Sequence, residues 1–259
     1  MTTAQAIDTA ADWIRRAQKV IALTGAGVST ESGIPDFRSA EGLWTRYNPS
    51  EYATLGAFLR DPVKVWNMLA ELEGLLDAKP NPGHVALAKL ERIGALHGIV
   101  TQNIDGLHQA ARSRVVVEFH GSNRTFTCLT CSAQFPREAL RSMPKAPGTQ
   151  MPQPSDCNQR PANGPAPCVL KPDVVFFDEM IPTQAVAGSD DMIRGADLIL
   201  VIGTSCEVYP AAGIPEQVRQ QGGKVIEINM VPAEELEPDL LLQGKFGEIL
   251  PALASRLLT

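Results

Sequence analysis

The chain has 259 residues, 44% of them apolar and 20% charged, and its 23 Lys and Arg are outnumbered by 29 Asp and Glu, for a net charge of −6. That length supports one large domain, or one large and one small, and the composition excludes disordered, collagen-like and small disulfide-stapled chains. No apolar run reaches the ~18 residues of a membrane span and the first residues lack the apolar stretch of a signal peptide, so a cytoplasmic protein is expected; sparse, scattered basic residues argue against nucleic-acid binding as the main function.

In chain order, Ile7, Ala11, Ile14 and Ala17 recur at helical spacing and predict a first helix. KVIALTG (19–25) then reads as a buried strand. Its tip, Gly25, Ala26 and Gly27, lets the backbone approach a pyrophosphate and offers exposed amides to an anion. The full dinucleotide fingerprint would place a third glycine where Thr30 stands, so the tip alone is equally a tight turn, and an ordinary dehydrogenase is disfavoured. Residues 33–44, GIPDFRSAEGLW, have no periodicity and suit an ordered loop over a ligand. Residues 48–95 form a mostly helical insertion. Asp61 with Pro62 and Asn81 with Pro82 read as N-caps followed by first-turn prolines, and Val65, Leu69, Leu72 and Leu76 form the apolar stripe of the first of these helices.

GIVTQN (98–103) and VVVEFHG (115–121) are the next predicted strands. His120 stands at the end of the second, where a histidine is either a satisfied structural residue or a general base that titrates near neutrality. His84, His97 and His108 are read as structural. Ten of the twenty prolines fall between Pro136 and Pro182, which excludes a long helix and most of a central strand there and marks an irregular inserted module. Four of the five cysteines lie within or just before it: Cys128 and Cys131 with two residues between them, then Cys157 and Cys168 with ten between them. In a cytosolic chain such cysteines read as zinc ligands or as unrelated buried thiols, and four thiolates would close a tetrahedral, structural site.

VVFFDE (174–179), LILVIGTS (198–205) and KVIEIN (224–229) complete the strand set, and residues 246–258 predict a last helix. Val- and Ile-rich runs alternating with helices predict an α/β fold with a mostly parallel, doubly covered sheet. Four strands end in Gly or small polar residues: Gly25 to Gly27, Gln102 to Asp105, Gly203 to Ser205, and Asn229. Beyond the carboxyl ends of a parallel sheet these tips can converge on one large nucleotide.

Taken together, GAGVSTESGIPDFR (25–38), TQNIDGLH (101–108), EFHG (118–121), CLTC (128–131), KPDVVFF (171–177), GTSCEVYPAA (203–212) and EIN (227–229) resemble the sirtuins, the NAD-dependent protein lysine deacylases, over nearly the whole chain and in the family's order. The resemblance implies a Rossmann-like NAD domain (1–47, 96–122 and 170–259) and a small lobe made of a helical module (48–95) and a zinc module (123–169). It implies NAD as co-substrate, structural Zn2+ on Cys128, Cys131, Cys157 and Cys168, and acylated-lysine proteins or peptides as partners. Gly25, Ala26, Gly27, Ser29, Asp36, Phe37, Arg38 and Trp44 would belong to the cofactor-binding loop, with Gln102, Asn103, Ile104 and Asp105 at the nicotinamide ribose. Gly203, Thr204, Ser205, Asn229, Met230 and Phe246 would meet phosphate and adenosine. Asn103 and His120 would be catalytic, His120 taking a proton from the ribose hydroxyls after nicotinamide has left and the acyl oxygen has trapped the ribose carbon.

The peptide would pair between residues 176–180 and 205–210, with Val174, Val175, Phe176, Phe177, Glu179 and Val208 in contact. Where the family usually has glycine after the paired phenylalanines, this chain has Asp178, which implies a preference for basic flanking residues. Branches that remove succinyl or malonyl groups carry Tyr and Arg on the helix after the family's tryptophan. The matching positions here are Leu69 and Leu72, which implies neutral acyl groups. Mono-ADP-ribosylation or NAD hydrolysis is the rival enzymatic reading, and an NAD-binding scaffold the non-enzymatic one.

Overall fold

The computed structural model describes residues 1–72, 77–154 and 168–258. Helix α1 (Thr3–Arg16) begins in a capping box of Thr2 with Gln5 and turns Ala6, Ile7, Ala10, Ala11 and Ile14 inward. Strand β1 (Val20–Thr24) is buried along its whole length. After it come short helices α2 (Pro49–Tyr52) and α3 (Leu55–Arg60), then α4 (Pro62–Glu71) and α5 (Pro82–Arg92). Both predicted caps are present: Asp61 accepts from the Lys64 amide, and Asn81 accepts from those of Gly83 and His84. Within the described residues α4 closes at Glu71, and Leu76 lies outside them.

Strand β2 (Gly98–Thr101), helix α6 (Leu107–Ala110) and strand β3 (Val116–Glu118) lead into β4 (Gly121–Cys128), β5 (Gln134–Pro136), α7 (Arg137–Leu140) and β6 (Leu170–Val174). The chain then returns through α8 (Thr183–Ile193), β7 (Leu198–Ile202), α9 (Ile214–Gln220), β8 (Lys224–Asn229), β9 (Leu240–Gln243) and α10 (Phe246–Leu257).

The large sheet runs β3-β2-β1-β7-β8-β9 and is parallel throughout, the strand order of a doubly wound nucleotide-binding fold. Alternate residues point to opposite faces. Val20, Ala22, Leu198, Leu200 and Ile202 pack beneath α1, α5 and α10, while Ile21, Leu23, Ile199 and Val201 pack beneath α8 and α9. Truncating a fully buried residue such as Ile21 to Ala would cost about 2–5 kcal/mol.

The strand reading fails at one run, and it misses β4 and β5 of the small sheet as well as β9. The run at 174–179 is not a strand: only Val174 belongs to one, the end of β6, and β6 joins a separate antiparallel sheet of order β5-β4-β6. Phe177 leaves the strand to pair with the backbone of Ala53 and Leu55. Conversely, the short run LLLQ supplies β9, which sequence reading missed.

The small sheet shares one apolar cluster with the helices around it: Tyr47, Phe58, Val65, Trp66, Phe126, Leu170 and Phe176. Trp66 stacks near Phe126 at 5.5 Å, and its Nε1 donates to the Leu170 carbonyl at 2.8 Å. Helix α5 packs instead in the core of the large sheet, through Ala86, Leu87 and Leu90.

Two buried histidines lie under the strand tips, their rings 4.9 Å apart. Burial lowers His84 to about 4, and burial together with the neighbouring His84 lowers His108 to about 3. Both are neutral when folded and take up a proton on unfolding below about pH 6.5. The stability they contribute is therefore present above that pH and lost as pH falls toward 4 and 3. Chemical denaturation is expected to show stability declining by more than about 1 kcal/mol per pH unit near pH 5.5. The slope should shrink in His84→Gln, and a wild-type slope in that variant would contradict the assignment.

Candidate functional site

The site is built where β1 and β7 run out side by side. The Gly25 amide donates to the Ile202 carbonyl at 3.0 Å and the Gly27 amide to the Gly203 carbonyl at 2.8 Å. A Cβ on Gly25 would lie 2.7 Å from the Thr204 Cβ, and one on Gly27 would lie 2.9 Å from the Gly203 Cα. Gly203 is doubly constrained: its φ is +60°, and its Cβ would meet the Val28 nitrogen at 2.6 Å. The two tips thus pack backbone on backbone, leaving a wall without side chains that fits a pyrophosphate.

The β2 tip closes the other side. The buried Asn103 donates from Nδ2 to the Gly25 carbonyl at 3.0 Å and to Ser29 Oγ at 3.2 Å. Ser29 Oγ donates to Asp105 Oδ2 at 2.7 Å, and the Leu107 amide donates to Asp105 Oδ1 at 2.8 Å. Burial raises the Asp105 carboxyl above its ordinary value, against the lowering effect of those two bonds. Gln102 Nε2 reaches Thr204 Oγ1 at 3.0 Å, and Asn229 Nδ2 donates to the Thr204 carbonyl at 3.0 Å, so tips β1, β2, β7 and β8 are tied into one floor. Ile104 follows Asn103 in that turn, Ser205 follows Thr204, and the amide of Met230 bonds back to Asn229 Oδ1.

His120 stands where β3 of the large sheet hands over to β4 of the small one. Gly121 makes that handover possible, since its φ is +74° and a Cβ there would strike the Asp173 carbonyl at 2.2 Å. The His120 carbonyl accepts from the Val175 amide at 2.9 Å, and Nδ1 lies 3.2 Å from the Gln102 carbonyl. A carbonyl only accepts, so Nδ1 carries the proton and Nε2 is left with its lone pair. Burial lowers the imidazole below its ordinary value and the Gln102 carbonyl partly offsets this, so the ring is neutral at pH 7.

The loop after β1 is held by its own aromatic residues. Phe37 and Trp44 lie 5.0 Å apart, Trp44 and Phe177 6.5 Å, and Asp36 Oδ1 accepts from the amides of Arg38 and Ser39. Arg38 Nε pairs with Glu207 at 3.0 Å, joining this loop to the segment that carries Val208. Opposite, Phe176 is buried against Phe58, and Glu179 accepts from the Phe176 amide and pairs with the buried Lys171 at 3.0 Å. Asp178 is exposed with φ +65°, the left-handed conformation in which glycine is at ease.

Two sets of predicted residues stand apart from this floor. Phe246 is buried at the start of α10, edge-on to His84 and directly over Gly83, so its side chain serves the core. The cysteines lie in the small sheet. The turn after β4 places Cys131 back over Cys128, and Leu129 pairs with Val169 beside Cys168. Burial raises the Cys128 thiol, but the backbone amides of Cys131 and Thr130 outweigh it and hold it below its ordinary value. Cys168 is disulfide-bonded and Cys157 lies outside the described residues; among those residues no three His, Cys, Asp or Glu side chains form a metal site. The fifth cysteine, Cys206, is a buried thiol pushed up to about 11 by burial, unsuited to nucleophilic work at neutral pH.

Sequence reading missed Asn81 and Glu207. Asn81 caps α5 with Oδ1 while its Nδ2 donates to the Val28 carbonyl at 2.7 Å and to Ser32 at 3.2 Å. The Asn-Pro cap was visible; its long-range grip on the glycine loop was not.

The Sir2 family model matches residues 25–210. The chain belongs to the Sir2 family. This Sir2 chain is 44% identical over 244 residues to NAD-dependent protein deacylase 1 of Archaeoglobus fulgidus, covering 93% of each. It is 40% identical over 250 residues to the NAD-dependent protein deacylase of Pyrococcus furiosus, covering 94% of this chain and 95% of the relative. A solved Sir2 homologue in complex with ADP-ribose superimposes with a TM-score of 0.86 at 40% identity, over 96% of both chains.

Gly203→Ala in this Sir2 chain is expected to lower stability by roughly 1–3 kcal/mol and to weaken NAD binding at least tenfold. Urea denaturation and titration calorimetry read the two effects, and unchanged NAD affinity in the folded variant would contradict the packing described for the tips.

Proposed function

We propose that the chain is an NAD-dependent protein lysine deacylase that acts on acetyl and other neutral acyl groups and yields nicotinamide and 2′-O-acyl-ADP-ribose. The observation that carries this reading is the placement of His120. It is a neutral imidazole whose Nδ1 is engaged by the residue next to Asn103, with Nε2 available at the junction of the two sheets.

The glycine tips Gly25, Gly27 and Gly203 suit the pyrophosphate of NAD, because glycine lets backbone amides come close to an anion. NAD supplies a nicotinamide leaving group and an ADP-ribose acceptor for the acyl group. Asn103 and Asp105 are proposed to hold the ribose end, Phe37 and Trp44 to keep water from the reacting carbon, and Arg38 with Thr204, Ser205 and Asn229 to hold the phosphates and adenosine. Met230 and the backbone of Phe246 complete that end. His120 Nε2 accepts the ribose hydroxyl proton, which suits a base that is unprotonated at pH 7.

The peptide is proposed to lie along Val174 to Phe177, Glu179 and Val208. The Lys171–Glu179 pair and the Phe176–Phe58 stack fix the turn whose tip is Asp178. Asp178 puts an exposed carboxylate beside that path and favours basic flanking residues. Leu69 and Leu72 pack, half-buried, against the cluster that contains Phe58 and Phe176, and a leucine offers no partner for a succinyl or malonyl carboxylate.

The small lobe is proposed to hold the small sheet and the helices of residues 48–71, which share its apolar cluster, whereas α5, expected within the 48–95 module, packs in the core of the large sheet. Cys128, Cys131 and Cys168 belong to the apolar cluster around the small sheet, and as thiolates they are proposed to ligate zinc with Cys157 as the fourth ligand. A disulfide sulfur does not ligate zinc, so zinc and the Cys168 disulfide exclude one another. Under reducing conditions one zinc per chain is expected, and Cys131→Ser should lose it with a drop in melting temperature. Metal-free protein that melts like the wild type after full reduction would remove zinc from the account.

Mass spectrometry of the small-molecule product, with a panel of acylated peptides, tests the function. Acyl-ADP-ribose is expected from acetyl-lysine peptides, less from succinyl-lysine peptides, and more from peptides with basic than with acidic flanks. His120→Ala should bind NAD and fail to form product. ADP-ribose released at the same rate without peptide would favour NAD hydrolysis, and ADP-ribose attached to protein would favour ADP-ribosylation.

A further inference from the structure

Beneath the floor of the site, the side chains of His108, Thr24 and Thr101 connect the histidine pair to the backbone amide of the catalytic asparagine. His108 Nε2 lies 2.9 Å from Thr24 Oγ1, Thr24 Oγ1 donates to Thr101 Oγ1 at 2.8 Å, and Thr101 Oγ1 accepts from the Asn103 amide at 3.1 Å. All four residues are buried. Thr24 and Thr101 are the last residues of β1 and β2 and sit opposite one another in register, immediately before the two tips that hold the proposed NAD site.

The Thr24-to-Thr101 bond sets the direction of this chain. With its one hydroxyl proton given to Thr101, Thr24 accepts from His108, whose proton is then on Nε2. His108 Nδ1 is then an acceptor. On the other ring, His84 Nδ1 faces the Asn81 amide at 3.4 Å and accepts from it, so the His84 proton is also on Nε2. Among the described residues, His84 Nε2 and His108 Nδ1 are the ring atoms of this pair with no hydrogen-bond partner. One is a donor and the other an acceptor, and they belong to neighbouring rings. Such complementarity is the arrangement that a buried pair needs in order to remain neutral and fixed.

Asn81 begins this chain and also holds the Val28 carbonyl of the glycine loop through Nδ2. The start of α5 therefore holds the first tip directly, and meets the second through the packing of His84 on His108 and the bonds from His108 to Thr24 and Thr101.

We propose that His108 is a positioning residue for Asn103, fixing the turn at the β2 tip through Thr24 and Thr101 and acting only as the Nε2–H tautomer. The proposal rests on the deacylase reading for its kinetic consequence, but its structural content stands apart from it.

Three variants of the full chain test it. His108→Asn removes the Nε2 donor, His108→Gln carries an amide nitrogen to about the same reach, and Thr24→Val keeps the shape while breaking the chain should the histidine variants fail to fold. We expect His108→Asn and Thr24→Val to reduce kcat for peptide-dependent nicotinamide release about tenfold, the equivalent of one lost hydrogen bond, with KM for the acyl peptide within twofold of wild type. His108→Gln should recover most of that loss, which a merely structural role would not predict.

Nitrogen-15 NMR of histidine-labelled protein should show both buried rings as Nε2–H tautomers from pH 6 to 8, and the Asn103 signals should shift in Thr24→Val. A His108 proton on Nδ1, unmoved Asn103 signals in Thr24→Val, or wild-type kcat in His108→Asn and Thr24→Val would each overturn the proposal. If wild-type protein releases no nicotinamide, it is the deacylase reading that fails, and the NMR result still decides the positioning role.

Discussion

Everything at this site follows from the close approach of two strand ends. Where β1 and β7 finish, Gly25 and Gly27 lie against Gly203 and Thr204 with no room for a Cβ between them. Strands β2 and β3 lie on one side of β1, and β8 and β9 lie beyond β7, so the two central strands separate the halves of the doubly wound sheet and the crevice opens over them. A side chain in this gap would force the tips apart and break the bonds from Asn103 to Gly25 and from Gln102 to Thr204. The glycine contact thus sets the distance between the groups proposed to hold the two ends of NAD.

The second constraint is the passage of the chain from one sheet to the other at His120 and Gly121. This passage carries the imidazole out of the large sheet while the His120 carbonyl stays bonded to Val175, the residue just after β6 of the small one. The proposed base therefore sits where the chain itself passes from one sheet to the other. The aromatic contacts of Phe37, Trp44 and Phe177 bring the loop after β1 over the same junction. The ion pair of Arg38 with Glu207 adds a further tie, exposed on both sides and so worth little in stability.

Much of this was legible in the residues because it is local. Apolar strands that stop at Gly, Thr or Asn mark tips, and Asp-Pro and Asn-Pro mark helix starts; both signals act over a few residues. The run Val174 to Phe177 misled for a physical reason. Of its apolar side chains only Phe176 is buried, and against Phe58 beside the small sheet rather than in the large one, while Phe177 is exposed and Asp178 in the left-handed region ends the run. Strand β9 is four residues long and follows Pro238 and Asp239, so neither its length nor its flanks distinguish it from a loop. The double use of Asn81 and the direction of the hydrogen bonds from His108 to Asn103 depend on partners from distant parts of the chain. Residue types alone could not show them.

The central claim is that one neutral imidazole, held through Nδ1, presents Nε2 to a ribose hydroxyl at the lobe junction. A crystal structure of the wild-type chain with an acetyl-lysine peptide and a non-reactive NAD analogue measures this directly. The account predicts His120 Nε2 within hydrogen-bond reach, about 3 Å, of a ribose hydroxyl, with Nδ1 still on the Gln102 carbonyl. A ribose bound elsewhere, with His120 Nε2 turned away from it and facing bulk water, would contradict it.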